Sequence, residues 1–215
     1  MAAPTYQAKG TFGESQTDDV IFTYMTTAAN DLLFLVVADV GDSQTYTVDS
    51  SWTEIESRQN IGTAGLTAHL YYKIATGSES GGEYVTRTTG GTRFAAQVYS
   101  YRGDSYLTLE DSTSNSGSSS TITWGTLTVA GTQRTKAAFV INAFGPDPNV
   151  MSGYTNATND VLVDGTYMEL STRENSSSGA GGTSTNGSTD GWISFHAVMY
   201  NATPPATSPR TYIVN

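Results

Sequence analysis

Asp31-Leu-Leu-Phe-Leu-Val-Val-Ala-Asp-Val40 is the most apolar run in the chain, and the remaining segments arrange themselves around it. It is too short to cross a bilayer, which takes about 20 apolar residues. Asn30-Asp31 bounds it on one side and Gly41-Asp42 on the other. A short continuous apolar run between turn signals predicts a strand buried on both faces, although periodicity alone leaves a buried helix open. Phe34, Val36 and Val37 favour the strand, because aromatic and β-branched side chains fit a pleated, packed surface. About a hundred residues later the chain echoes this run as Lys136-Ala-Ala-Phe-Val-Ile-Asn-Ala-Phe144.

The 215 residues can bury a full core within a single all-β domain. Thirteen Tyr, 22 Gly and few charged side chains fit that class. Cysteine is absent, so neither a disulfide nor a cysteine metal site is expected to hold the fold. The formal net charge of -10, with ten Lys plus Arg, repels phosphate backbones and anionic membranes and argues against partners of either kind. The first residues, Met1-Ala-Ala-Pro-Thr-Tyr6, lack the basic and apolar regions of a secretion signal. The expectation is a protein made in a cytoplasm that stays there or leaves by lysis.

Working outward from Asp31, Val20 to Met25 reads as a strand and Gln7 to Phe12 as an edge strand. Trp52 to Arg58 alternates bulky and polar residues. Leu66 to Ala75 places Ala68, Leu70, Tyr72 and Ile74 on one face and Thr67, His69, Tyr71 and Lys73 on the other. Phe94 to Tyr101 is a further strand. The second half repeats the order: Ile122 to Val129, Lys136 to Phe144, Gly153 to Thr155, Thr166 to Arg173 and Trp192 to Tyr200. No window of ten residues keeps a helical stripe. The predicted architecture is an all-β, jelly-roll-like two-sheet sandwich over residues 1–203, without substantial helix. Its two similar units cover about residues 20–104 and 122–200. The Ser/Thr/Asn-rich residues 111–120 read as a flexible polar connection between them. Pro204, Pro205 and Pro209 stiffen an extended arm over 204–215, whose apolar tip Tyr212-Ile213-Val214 must be buried, on its own sheet or on a neighbouring subunit.

No catalytic constellation stands out. His69 and His196 are expected to face outward from strands, with His196 in the position that Gln97 holds in the first unit. Asp18, Asp19, Asp31, Asp39 and Asp42 lie near strand ends and have the oxygen chemistry of a calcium site, but their spacing fits solvated turns better. Two carboxylates would also serve a glycosidase. Trp52, Trp124 and Trp192 are candidate glycan contacts as a stacking platform, against the blander expectation that they start strands and fill the sandwich rim. Arg102-Gly103-Asp104 matches an integrin-binding tripeptide but simply ends a strand. The Asn-x-Ser/Thr sites at Asn156, Asn175, Asn186 and Asn201 are what a Ser/Thr-rich chain gives by chance. No cofactor is implied.

A wider pattern joins these segments. Asp31-Leu-Leu-Phe-Leu-Val-Val37 is followed by Trp52-Thr-Glu-Ile55, then Leu70-Tyr-Tyr-Lys-Ile-Ala-Thr-Gly77, then Val98-Tyr-Ser-Tyr-Arg-Gly-Asp104, then Gly191-Trp-Ile-Ser-Phe-His-Ala-Val-Met199. This order, over roughly residues 20–200, resembles a group of β-sandwich proteins encoded by tailed bacteriophages and found in their virions. The resemblance implies a non-enzymatic structural protein, with a capsid decoration or cement role on the outer head surface as the first expectation. A tail- or fibre-associated receptor- or glycan-binding module is the alternative. It implies the major capsid protein or other virion proteins as partners, a homo-oligomer such as a trimer, a virion location and no active-site residues. The motifs are structural. Pro204, Pro205, Tyr212, Ile213 and Val214, the candidate assembly contacts, lie in a tail that the resemblance does not cover.

Overall fold

The computed structural model describes residues 1–16, 19–41, 44–88, 93–143, 154–161, 167–173, 179–185 and 191–203, with backbone alone for 155–161 and 167–173. Every regular element in it is a β-strand. The first unit contains β1 (Thr5–Lys9), β2 (Gly13–Ser15), β3 (Asp19–Thr23), β4 (Leu32–Val40), β5 (Tyr46–Thr47), β6 (Thr53–Ile61), β7 (Leu66–Ile74), β8 (Gly82–Arg87) and β9 (Arg93–Arg102). The second contains β10 (Tyr106–Gly117), β11 (Thr121–Thr123), β12 (Arg134–Asn142), β13 (Thr155–Val161), β14 (Tyr167–Arg173), β15 (Thr183–Thr185) and β16 (Trp192–Ala202).

The two units build matching antiparallel sheets. The first runs β1-β9-β4-β7-β6, with β2 also on β9, and the second runs β10-β16-β12-β14-β13. Taken in chain order, both sheets follow the same pattern of first, last, second, fourth and third strand. The repeat of strand order read from the sequence is thus a repeat of sheet topology. Each unit supplies one of the two large sheets, so the sandwich is doubled by the repeat itself. β4 sits at the centre of the first sheet, paired with β7 from Leu32↔Ile74 to Val40↔Leu66 and with β9 from Leu32↔Tyr101 to Val40↔Arg93. β12 holds the same place in the second sheet, between β14 and β16.

Period-two alternation sends Leu32, Phe34, Val36, Ala38 and Val40 into the core between the sheets. There they share one cluster with Ala137, Phe139 and Ile141 of β12 and with Ile193, Phe195, Ala197 and Met199 of β16. The other face of β4 is covered too. Leu33, Leu35 and Val37 pack with Val20, Phe22, Trp52 and Val85 beneath an outer three-stranded sheet, β3-β8-β5. On the second unit β11 pairs with β15 in the same outer position, and Ile122 and Trp124 cover Ala138 and Val140. Four layers result, and all nine residues of β4 are buried.

The Ser/Thr-rich residues 111–120 do not form a flexible connection. Residues up to Gly117 belong to β10, which pairs with β16 from Tyr106↔Ala202 to Gly117↔Trp192 with one bulge between Leu109 and Asp111. Backbone pairing supplies what the side chains cannot bury, and the hydroxyls are used as well. Ser112 and Ser114 donate to Glu56 at 2.9 and 2.6 Å, and Arg58 of β6 donates to the Ser114 carbonyl at 2.7 Å. The edge of one sheet is thereby fastened to the edge of the other. Ile122 to Val129 is strand only at its start, although Trp124 and Leu127 still donate backbone bonds to Gly182 and Gly179. β8 (Gly82–Arg87) is a strand that the sequence did not lead us to expect.

Phe34 lies edge-on to Phe139 at 5.5 Å and to Tyr101 at 5.8 Å, with no exposed surface, and so joins the two sheets. Phe34→Ala is expected to destabilise the fold by about 3–5 kcal/mol, read as a lower urea midpoint at unchanged m-value.

Candidate functional site

The side chains with chemistry lie on the outer faces of the two sheets, where alternation puts the polar members of β7 and β16. Those faces are roofed by the small sheets, so these residues must find partners. His69 is 5% exposed and His196 1%, which corrects the expectation of outward-facing histidines: an additional layer covers each. Gln97 shares the inner face with its neighbour Val36 across the β4–β9 pair, whereas His196 sits beside Ala138 on an outer face. The two are therefore not equivalent positions.

Lys73 is held over the rings of Tyr24 and Trp52, 4.6 Å from each centroid and 3.7 Å from Glu83. Trp52 Nε1 donates to Glu83 Oε1 at 2.6 Å, the Tyr24 hydroxyl donates to the other Glu83 oxygen, and Lys73 donates to Tyr24. Burial, then the hydrogen bond to Glu83, pushes the Tyr24 phenol well above its usual range. His69 Nδ1 lies 3.1 Å from Glu54 Oε2, and its ring meets the Tyr46 ring edge-on at 4.8 Å. Burial, then the Glu54 charge, raises the Tyr71 phenol.

Arg87 and Asp39 form a fully buried ion pair between the outer sheet and β4. The Arg87 guanidinium also stands 5.3 Å from the Phe94 ring. Burial raises the Asp39 carboxyl above its ordinary range, against the downward pull of Arg87. In the second unit His196 Nδ1 lies 3.0 Å from the Gly125 carbonyl, to which it donates, while Nε2 accepts from the Tyr154 hydroxyl. That tautomer is neutral. Burial brings the imidazole down to about 4, the Gly125 bond opposing and Lys136 assisting.

The structure separates the aspartates expected near strand ends. Asp31 takes two bonds from Arg102 at 2.7 Å and Asp39 takes Arg87, while Asp19 stays exposed and accepts from Thr86 at 2.7 Å. Asp18 and Asp42 lie outside the described residues. Among the described residues no three His, Asp or Glu side chains converge as a metal site. Trp52, Trp124 and Trp192 are 6%, 4% and 2% exposed, so they do not make a sugar-stacking rim; they seal the spaces between layers. The Arg102-Gly103-Asp104 tripeptide is spent internally: Arg102 on Asp31, Asp104 on the Ala2 amide at 2.7 Å, and Gly103 against Asn201, whose Oδ1 would lie 1.9 Å from an added Cβ. Asn201 is itself buried and donates to the Ala2 carbonyl. Pro204, Pro205, Tyr212, Ile213 and Val214 lie outside the described residues.

One opening lies at the surface between two connections. Tyr24 to Thr27, after β3, and Gly77 to Gly81, before β8, enclose a groove of about 360 Å³. Glu79 organises it by accepting from the Thr76 and Gly77 amides at 2.8 and 3.0 Å and from the Thr27 and Thr76 hydroxyls at 2.9 and 3.1 Å. Partial burial pushes this carboxyl up, but those bonds outweigh it and bring the group down to about 2. Gly77, at φ +84° and with Ala29 N only 2.6 Å from where a Cβ would stand, is the residue that allows the turn to close on its neighbour. The sequence signal was slight: a glycine and a glutamate two residues apart.

Comparison with models of protein families, with curated proteins and with solved structures gives no match.

Two outcomes check this account of the polar clusters. Arg87→Met leaves Asp39 buried without its cation and is expected to cost about 3–5 kcal/mol, whereas pairing it with Asp39→Leu restores most of the loss; urea midpoints of the single and double variants decide. The second outcome concerns pH. His196 binds a proton near pH 4 when folded but near 6.5 when unfolded, so between those values the unfolded chain carries more protons. Stability from this group is full above about pH 6.5 and falls by up to about 3 kcal/mol as pH drops to 4. His196→Gln is expected to flatten that slope in thermal melts.

Proposed function

We propose that this chain is a non-enzymatic structural protein of a tailed-bacteriophage virion, a capsid decoration or cement protein on the outer head surface. The observation that carries this reading furthest is the use made of its buried charges. Asp31, Asp39 and Glu83 are each consumed by a cation or donor from another segment, fastening neighbouring strands and layers together. Such a layout suits a rigid part of an assembly. The segments behind the resemblance also serve the fold directly, since they fall on β4, β7, β9 and β16 inside the two sheets and on β6 at the edge of the first. The net charge of -10 would keep particles apart in solution and spare the packaged nucleic acid. The partners on this reading are the major capsid protein or another virion protein, met through a homo-oligomer repeated with the lattice. The tail- or fibre-associated alternative loses its tryptophan platform and keeps only the groove at Glu79 in its favour.

Gold-labelled antibody against the chain, viewed on purified particles by electron microscopy, tests the reading. Label spread evenly over the head is the expected result. Label confined to the tail or fibres would favour the alternative, and particles without label would overturn the virion assignment altogether.

A further inference from the structure

We propose that the groove between Tyr24–Thr27 and Gly77–Gly81 binds a neutral saccharide. This inference is independent of where, or whether, the chain sits on a particle. At about 360 Å³ the groove falls within the size range of small-molecule sites. Its lining is hydroxyl-rich. Thr26 and Ser80 are exposed, and among the described residues their hydroxyls take no hydrogen bond. Thr27 gives its proton to Glu79 and keeps oxygen lone pairs for a ligand hydroxyl. The walls are already fixed by the bonds around Glu79 and by the Tyr24 amide, which donates to the Gly81 carbonyl at 3.0 Å. Little ordering would be left to pay on binding.

An exposed apolar pair stands further along the strand that leaves the groove. Gly81 leads straight into β8, where Tyr84 is 61% exposed and paired with Ile21 of β3, itself 46% exposed. Tyr84 lies three positions along the chain from Gly81, about 10 Å, which a short oligosaccharide spans. The C–H face of a sugar ring suits a tyrosine of this kind, apolar across its body and polar at its tip. Charge narrows the class further. Glu79 lies in the groove wall, and the cation Lys73 is engaged by Tyr24, Trp52 and Glu83. Phosphate, sulfate and sialic acid would meet a carboxylate in a described lining that holds no Lys, Arg or His, whereas an uncharged polyol would not be repelled.

The test is titration of the ¹⁵N-labelled full chain with maltotriose, cellotriose and diacetylchitobiose, and with a sialylated trisaccharide as the anionic control. At least one neutral probe is expected to shift the amides of Met25 to Thr27, Gly77 to Gly81 and Tyr84 at millimolar concentration. The sialylated probe is expected to leave them unmoved. Thr26→Ala combined with Ser80→Ala, both on the surface, is expected to weaken that binding about fivefold or more, and Tyr84→Ala to weaken it separately while the rest of the spectrum stays that of the folded chain. Silence of these amides towards all three neutral probes would overturn the proposal. So would equal binding of the sialylated probe, or a Thr26/Ser80 double variant that binds like the original.

Discussion

Burial of β4 on both faces is the constraint on which the rest of the structure depends. An antiparallel sheet commonly leaves one face to water. Here Phe34 meets Phe139 on one side, while Leu33, Leu35 and Val37 need an equal cover on the other, and β3, β5 and β8 supply it. Each fully buried aliphatic or aromatic side chain of β4 contributes roughly 1.5–3 kcal/mol, so neither cover is dispensable. Among the described residues, the second unit meets the same demand around β12 with Ile122, Trp124 and Trp192 against Ala138 and Val140.

That outer cover decides the fate of the polar residues. Strand alternation alone would leave Thr67, His69, Tyr71 and Lys73 in solvent. Once a small sheet closes over them, every charge must be answered inside the protein, because an unpaired buried ion costs far more than a paired one. The Lys73–Glu83–Trp52–Tyr24 group, the Asp39–Arg87 pair and the His196–Tyr154 contact are three answers to one problem. The groups that burial shifts, Tyr24, Asp39, Tyr71 and His196 among them, thus cluster between layers. The groove at Glu79 is different in kind. There the carboxylate holds an exposed turn open and in place, and the neighbouring hydroxyls remain turned to solvent.

The polar strand β10 shows that burial is not the only route to a sheet. Its side chains are only half-buried, yet eleven of its residues pair with β16, and Glu56 gathers two of its serines. Backbone hydrogen bonds and a cross-sheet carboxylate replace the apolar stripe that marks its neighbours. Because of this strand the two units share an edge as well as a core.

The sequence by itself determined the class and the repeat. The apolar runs at Asp31 and Lys136 are long enough and β-branched enough to be central strands, and alternation at Leu66 to Ala75 correctly separated the two faces of β7, because side-chain direction along a strand is a local property. Of the tryptophans expected to start strands, Trp192 opens β16, whereas Trp52 stands just before β6 and Trp124 just after β11. Only the tertiary structure decided what covers each face. Whether the His69 face meets water or a second sheet depends on where residues 19–23 and 82–87 return, which is a long-range matter. The same holds for the Ser/Thr stretch at 111–117, whose partner β16 lies some eighty residues away, and for the groove, whose two walls come from turns fifty residues apart. A sequence records which residues prefer to be buried or extended; the pairing that satisfies a buried charge or frames an open hydroxyl exists only once distant segments meet.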